Sequence, residues 1–200
     1  MSEYQFTKDW FGWAPPVWEQ LIPMLSGEAG ERKFLEIGSF EGRSTVWIME
    51  NMMQMGDYLY CIDTWEGGEE HGAEDMGTVF KRFRANVQAA REKTGIKSVG
   101  HSRQSSVEGI AELISGWAGT YDFIYIDGSH IAKDVLTDAC MAWQMLKPKG
   151  IMVFDDYVWG NPRDVLHRPK VAIDAFVNIF AEEVEVIHVG YQLVVRKKGE

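Results

Sequence analysis

The chain is poor in cysteine: of its 200 residues only Cys61 and Cys140 carry a thiol. Both lie in apolar segments, so a disulfide framework is not expected, and a reducing, cytoplasmic compartment is. Long apolar runs are also lacking, so no segment is suited to spanning a bilayer and no membrane partner is expected. The polar stretch Met1–Asp9 has no basic-then-apolar build and does not read as a secretory leader. Positive charge is in short supply, with 20 Lys and Arg against 30 Asp and Glu, a net charge of −10. That balance argues against a nucleic-acid partner, because phosphate binding needs a basic face. Lys81, Arg82 and Arg84, the densest basic group, fall in a helical stretch and read as a solvated face. A small-molecule substrate remains the favoured partner. With no repeat, low-complexity tract or linker, residues 1–200 read as one domain. A homo-oligomer is compatible with all of this.

Strand-like runs alternate with helix-like stretches, the pattern of a doubly wound α/β sheet. Strands are predicted at Lys33–Ile37, Tyr58–Ile62, Ser98–His101, Phe123–Ile126 and Ile151–Phe154. Amphipathic helices are predicted at Arg43–Met55, Thr78–Thr94, Ser106–Ile114 and Ile131–Leu146; Pro148 and Gly150 stop the last. A loop over Asp156–Lys170 and a helix over Val171–Phe180 follow. The strands Val184–His188 and Gln192–Arg196 then lie too close together for a parallel crossover and must form an antiparallel pair. The first thirty residues stand apart as an aromatic extension with Trp10, Phe11, Trp13 and Trp18. They either pack on the sheet, the commoner use of aromatic area, or close over a ligand.

The first strand ends at Glu36 and turns through Gly38-Ser39-Phe40-Glu41-Gly42 into a helix. Glycine lets the backbone bend sharply and approach a ligand closely. The spacing Gly-x-x-x-Gly is not that of a pyrophosphate cradle, and an acidic strand end suits a ligand with a cationic group. The second strand ends at Asp63, twenty-one residues past Gly42, where an acidic side chain commonly takes ribose hydroxyls.

Glu36–Gly42 and Asp63, together with Tyr121–His130 and Leu146–Tyr157, resemble the motifs of class I S-adenosylmethionine-dependent methyltransferases. The similarity runs from about Phe34 to Lys197. It is nearest to the subgroup of macrocin-type sugar O-methyltransferases and cephalosporin hydroxylase-like proteins. The resemblance implies a Rossmann-like seven-stranded sheet of order 3-2-1-4-5-7-6 with strand 7 antiparallel. It further implies that S-adenosylmethionine lies against Glu36, Gly38, Ser39, Gly42, Ser44, Asp63, Thr64, Trp65, Gln104, Ser105 and Asp127. The polar pair Gln104 and Ser105 would stand near the adenine. Trp65 would lie against the adenine, line the substrate mouth, or simply pack in its loop.

Asp127 closes the fourth strand and Asp155-Asp156 the fifth, and adjacent strands of such a sheet open into one crevice. Three carboxylates there would repel one another unless a cation is present, and oxygen ligands suit Mg²⁺. Metal-dependent O-methyltransferases of the catechol type carry a comparable set at the same separation. Asp127, Asp155 and Asp156 are therefore the expected metal ligands, with Asp127 and His130 catalytic. In the macrocin-like subgroup the histidine of Asp-Gly-Ser-His is the general base; a helix-capping or surface histidine is the plainer alternative. His71 and His167 fall in loops beside the crevice. The function implied is methyl transfer to a hydroxyl of a small molecule. A metal oxygenase of the cephalosporin hydroxylase-like type, or a non-catalytic cofactor-binding protein on the same fold, are the alternatives.

Overall fold

Parallel strands buried on both faces need near-continuous apolar runs, and the sequence supplies them in order. The computed structural model describes residues 4–68, 72 and 75–199. Its strands are β1 (Lys33–Ile37), β2 (Tyr58–Asp63), β3 (Val99–Arg103), β4 (Tyr121–Ile126), β5 (Leu146–Phe154), β6 (Val184–Val189) and β7 (Leu193–Lys197). They form one sheet of order β3-β2-β1-β4-β5-β7-β6, as the family resemblance implies. The first five are mutually parallel, whereas β7 runs antiparallel to both β5 and β6. Every residue of β4 is buried, which makes it the centre of the sheet.

The helices are α1 (Pro15–Leu21), α2 (Arg43–Trp47), α3 (Met76–Thr94), α4 (Ser106–Trp117), α5 (Ala132–Met145) and α6 (Lys170–Ile179). The helix predicted over Arg43–Met55 is shorter than expected: after Trp47 the chain continues as a π turn over Ile48–Met52. Asp75 starts α3 by accepting the Gly77 N–H, and Gly95 ends it in a left-handed conformation. Ser105 and Glu108 cap α4 reciprocally, satisfying two amides that the helix leaves without partners. No helix is long and apolar enough to cross a membrane among the described residues.

The N-terminal extension packs on the sheet through some of its aromatic residues and leaves others at the crevice. Trp18 is fully buried and meets the rings of Phe11, Trp47, Phe123 and Tyr125 at 4.8–5.5 Å, edge to face. Its indole N–H donates to Gln192 at 2.7 Å, so no polar atom is stranded. Trp10 and Trp13 instead stay 49% and 38% exposed and border the crevice above the sheet.

One backbone approach fixes the crevice. Gly38 has φ +82°, and a Cβ there would stand 1.9 Å from the carbonyl oxygen of Asp127. Gly95 is also left-handed, at φ +78°, but opens on empty space. Gly38→Ala should therefore cost about 2–5 kcal/mol, combining backbone strain with overpacking, and Gly95→Ala only about 1 kcal/mol. Urea unfolding of both variants checks this; equal losses would mean that the β1 and β4 ends are not locked together.

Candidate active site

The strand ends meet in a crevice of about 1,260 Å³. Gly38, Ser39, Ser44, Asp63, Thr64, Gln104, Ser105, Asp127, His130, Asp155 and Asp156 all line it, so most residues singled out in the sequence converge. Glu36, Gly42 and Trp65 are not among the lining residues, and the packing explains each. Glu36 is fully buried beneath the glycine turn. Its carboxylate accepts from Ser44 at 2.6 Å, Ser39 at 2.7 Å and Thr45, so it holds the loop from behind. Burial raises its pKa and those three hydroxyls work against the rise. Gly42 turns toward Phe83, whose ring a Cβ would meet at 2.9 Å. Trp65 is fully buried against Phe80, Phe83 and His101, and donates its indole N–H to the Phe40 carbonyl. It is a core residue rather than an adenine platform.

Asp63 keeps its predicted place and adds a task. Its Oδ2 accepts the amides of Ser39 and Phe40 at 2.8 and 2.9 Å, and its Oδ1 the amide of Trp65 at 2.6 Å. These bonds tie the glycine turn to the end of β2. The N-terminal extension straps the same turn from outside. Glu41, fully buried, accepts from the Thr7 amide and hydroxyl and pairs with Arg82, while Arg43 donates to the Lys8 carbonyl. Gln104 donates to Glu112 at 2.8 Å, and Ser105 is engaged as the cap of α4.

At the other end, Asp155 and Asp156 part company. Asp156 adopts φ +55°, which most side chains avoid. Asp155 is 8% exposed: its Oδ1 accepts the Asp156 amide at 2.8 Å and its Oδ2 the Tyr125 hydroxyl. Asp156 faces the crevice, where it meets His130 Nε2 at 2.7 Å and accepts from the Tyr191 hydroxyl at 2.8 Å. The His130 ring lies 4.1 Å from that of Trp159. The group whose ligand atoms come within 4.8 Å of one another is thus Asp127, His130 and Asp156. It differs from the three-carboxylate set expected from the sequence in having His130 where Asp155 was expected: the left-handed Asp156 sends the neighbouring carboxylates to different surroundings.

Burial holds the Asp127 carboxyl well above the usual range, and the charges of Asp155 and Asp156 push it further. Burial and then Asp156 raise Asp155 to about 6. A cation among these groups would relieve the repulsion. Sequence reasoning misses Tyr191 and Trp159, since a hairpin turn and a loop carry no motif, and Tyr125, which stands inside a motif but reads as an apolar strand residue. His167 lines the crevice but is paired with Asp164 at 2.8 Å on the surface. His71 lies outside the described residues.

A seven-stranded sheet of this order, with a reversed seventh strand and a glycine turn after β1, has the architecture of the class I methyltransferases. The chain belongs to the methyltransferase-domain family, whose model matches residues 35–157. An uncharacterized protein of Acanthamoeba polyphaga mimivirus is 27% identical over 133 residues, which cover 65% of this chain and 53% of that protein. The match therefore spans only about half the length of that relative. Among solved structures, the O-methyltransferase from Bacillus cereus in complex with SAH is 18% identical, with a TM-score of 0.64. The match covers 98% of this chain and 84% of that one. TomG of Streptomyces achromogenes, an O-methyltransferase of tomaymycin synthesis in complex with SAM, is 18% identical over 93% of this chain and 81% of its own, with a TM-score of 0.65. MycE, from the mycinamycin biosynthetic pathway, in complex with Mg, SAH and mycinamycin VI, is 14% identical with a TM-score of 0.61. There the match covers 97% of this chain and 51% of that one.

One acid on the crevice wall gives a test in solution. Asp138 is buried and its pKa is raised to about 6, by burial first, with the Ser106 hydroxyl opposing. In the unfolded chain an aspartate titrates near ~3.9, so between these values the folded state holds the extra proton and stability falls as pH rises. Asp138→Asn removes that loss. Its stability relative to wild type should climb by roughly 2–3 kcal/mol from pH 4 to 7 in urea unfolding. A difference that stays level with pH would show that Asp138 is ionised in the fold.

Proposed function

We propose that this chain transfers the methyl group of S-adenosylmethionine to a hydroxyl of a small molecule, with help from a divalent ion. The observation that carries the reading is the union of two half-sites in one space. The glycine turn of β1 and the carboxylate–imidazole group of β4 and β5 share a crevice of about 1,260 Å³. A single-ligand pocket is commonly about 300–1,000 Å³, so there is room for cofactor and acceptor side by side. The SAH, SAM and Mg in the solved relatives named above support the same assignment.

The cofactor end fits. Asp63 Oδ2 is filled by the two amides it accepts, but Oδ1 retains a lone pair beyond its bond from Trp65, suited to a ribose hydroxyl. Gln104 presents a buried Oε1 with no partner among the described residues, an acceptor suited to the amino group of adenine. Gly38, Ser39, Ser44, Thr64 and Ser105 line the same end. Glu36 acts behind the turn by fixing its hydroxyls.

At the acceptor end, Asp127 and Asp156 are the residues to hold an ion. Mg²⁺ is commonly bound by one or two carboxylates, with other oxygens completing its shell. An ion bound there supplies Lewis acidity toward an acceptor oxygen. His130 is oriented by its Nε2 contact with Asp156, and its imidazole is the group to take the hydroxyl proton. One imidazole and two carboxylates are not the two-histidine, one-carboxylate set of non-haem oxygenases, so the oxygenase alternative draws no support from the donors among the described residues.

Calorimetry with S-adenosylhomocysteine tests the cofactor half. Wild type should bind, and Asp63→Asn should weaken binding about tenfold or more, as for a lost hydrogen bond to a charged group. Undiminished affinity in the folded variant would move the ribose away from the end of β2.

A further inference from the structure

Asp155 was expected to hold the ion; it borders the crevice, but it is 8% exposed and each of its oxygens accepts a hydrogen bond from within the protein. The commitment runs through Tyr125, whose side chain is buried in the middle of the sheet face that carries α1. The Tyr125 hydroxyl lies between two carboxylates, within hydrogen-bond reach of Asp155 Oδ2 and, at 2.9 Å, of Asp127 Oδ2, and its single proton is shared between them. Strand alternation places residues 125 and 127 on the same side of β4, so the hydroxyl reaches the carboxylate two residues on. Further support comes from distant parts of the chain. Trp18 presses edge-on against the Tyr125 ring at 4.8 Å and bonds Gln192 at 2.7 Å. The Gln192 amide nitrogen makes no full hydrogen bond, but it stands near enough to Asp155 to favour that carboxylate's charge.

We infer that Tyr125 is a positioning residue of the ion site: its hydroxyl, wedged between Asp155 and Asp127, retains Asp155 in the interior and aims Asp127 at His130 and Asp156. Tyr125 does not touch the crevice and is not itself a ligand. The N-terminal helix thereby acts on the chemistry at a distance, since Trp18 fixes the plane of the ring that carries the hydroxyl. Partners of this kind orient metal ligands, and removing one commonly costs about ten- to a hundredfold in metal affinity.

The inference rests on the ion reading proposed above, and Mn²⁺ binding to the full chain separates the two. Calorimetric titration with Mn²⁺ alone, without cofactor or acceptor, reads the site directly. Wild type should bind, and Tyr125→Phe, which keeps the ring against Trp18, should bind about ten- to a hundredfold more weakly. Asp155→Asn should lose less than about tenfold, because an interior carboxylate is not replaced in the ion's shell. It also carries the test should Tyr125→Phe fail to fold. A purely structural tyrosine would lower the melting temperature and leave the Mn²⁺ constant unchanged; that result overturns the inference while the ion reading stands. A loss of a hundredfold or more in Asp155→Asn would make Asp155 a ligand and overturn it as well. Wild type that binds no Mn²⁺ removes the ion reading and the inference together.

Discussion

The crevice depends on one backbone contact, the carbonyl of Asp127 packed where Gly38 has no side chain. Around it the strand ends interlock. The Gly38 amide donates to Ile62, the Asp127 amide to Ile37, and the Asp155 amide to Ile126. These three bonds continue the parallel ladders past the last regular residues of β1, β4 and β5. They carry β2, β1, β4 and β5 to a common edge, where the loops of an open α/β sheet receive ligands. A side chain at residue 38 would part the glycine turn from the acidic cluster, and the two would no longer share one space.

Holding that edge together has an energetic cost, and the structure shows where it is offset. Phe40, Trp65 and Asp156 all take left-handed conformations beside the crevice, each worth of order 1–3 kcal/mol of strain. Asp63 compensates at the first two by accepting the amides of Phe40 and Trp65. At the third, the Asp156 amide is bonded by Asp155 and its side chain is held by His130 and Tyr191. Carboxylates thus serve twice, as scaffold for strained turns and as lining for the site. The buried Glu36 is the extreme case, an acid spent wholly on three hydroxyls.

Much of the fold was legible because parallel strands announce themselves as apolar runs and a three-residue reversal can only join antiparallel strands. The convergence of Gly38, Asp63, Asp127, His130 and Asp156 followed from strand ends alone, since topology places them at one edge. Sidedness was not legible. Whether Glu36, Gly42 or Trp65 faces a ligand or the core turns on the path of a short loop, and all three face inward. The parting of Asp155 from Asp156 depends on a single φ angle that two identical residue types cannot reveal. Trp159 and Tyr191 approach His130 and Asp156 only through tertiary folding of a loop and a hairpin, so no local pattern marks them. Tyr125 reads as one more apolar strand residue until its hydroxyl is seen between two carboxylates.

The central claim is that the cofactor occupies the turn after β1. Amide hydrogen exchange of the full chain, with and without S-adenosylhomocysteine, tests it most directly. The account predicts added protection at residues 38–42, 63–65 and 104–106, with the distant β6 strand unchanged. Protection confined to other segments, or none at saturating ligand, would contradict it.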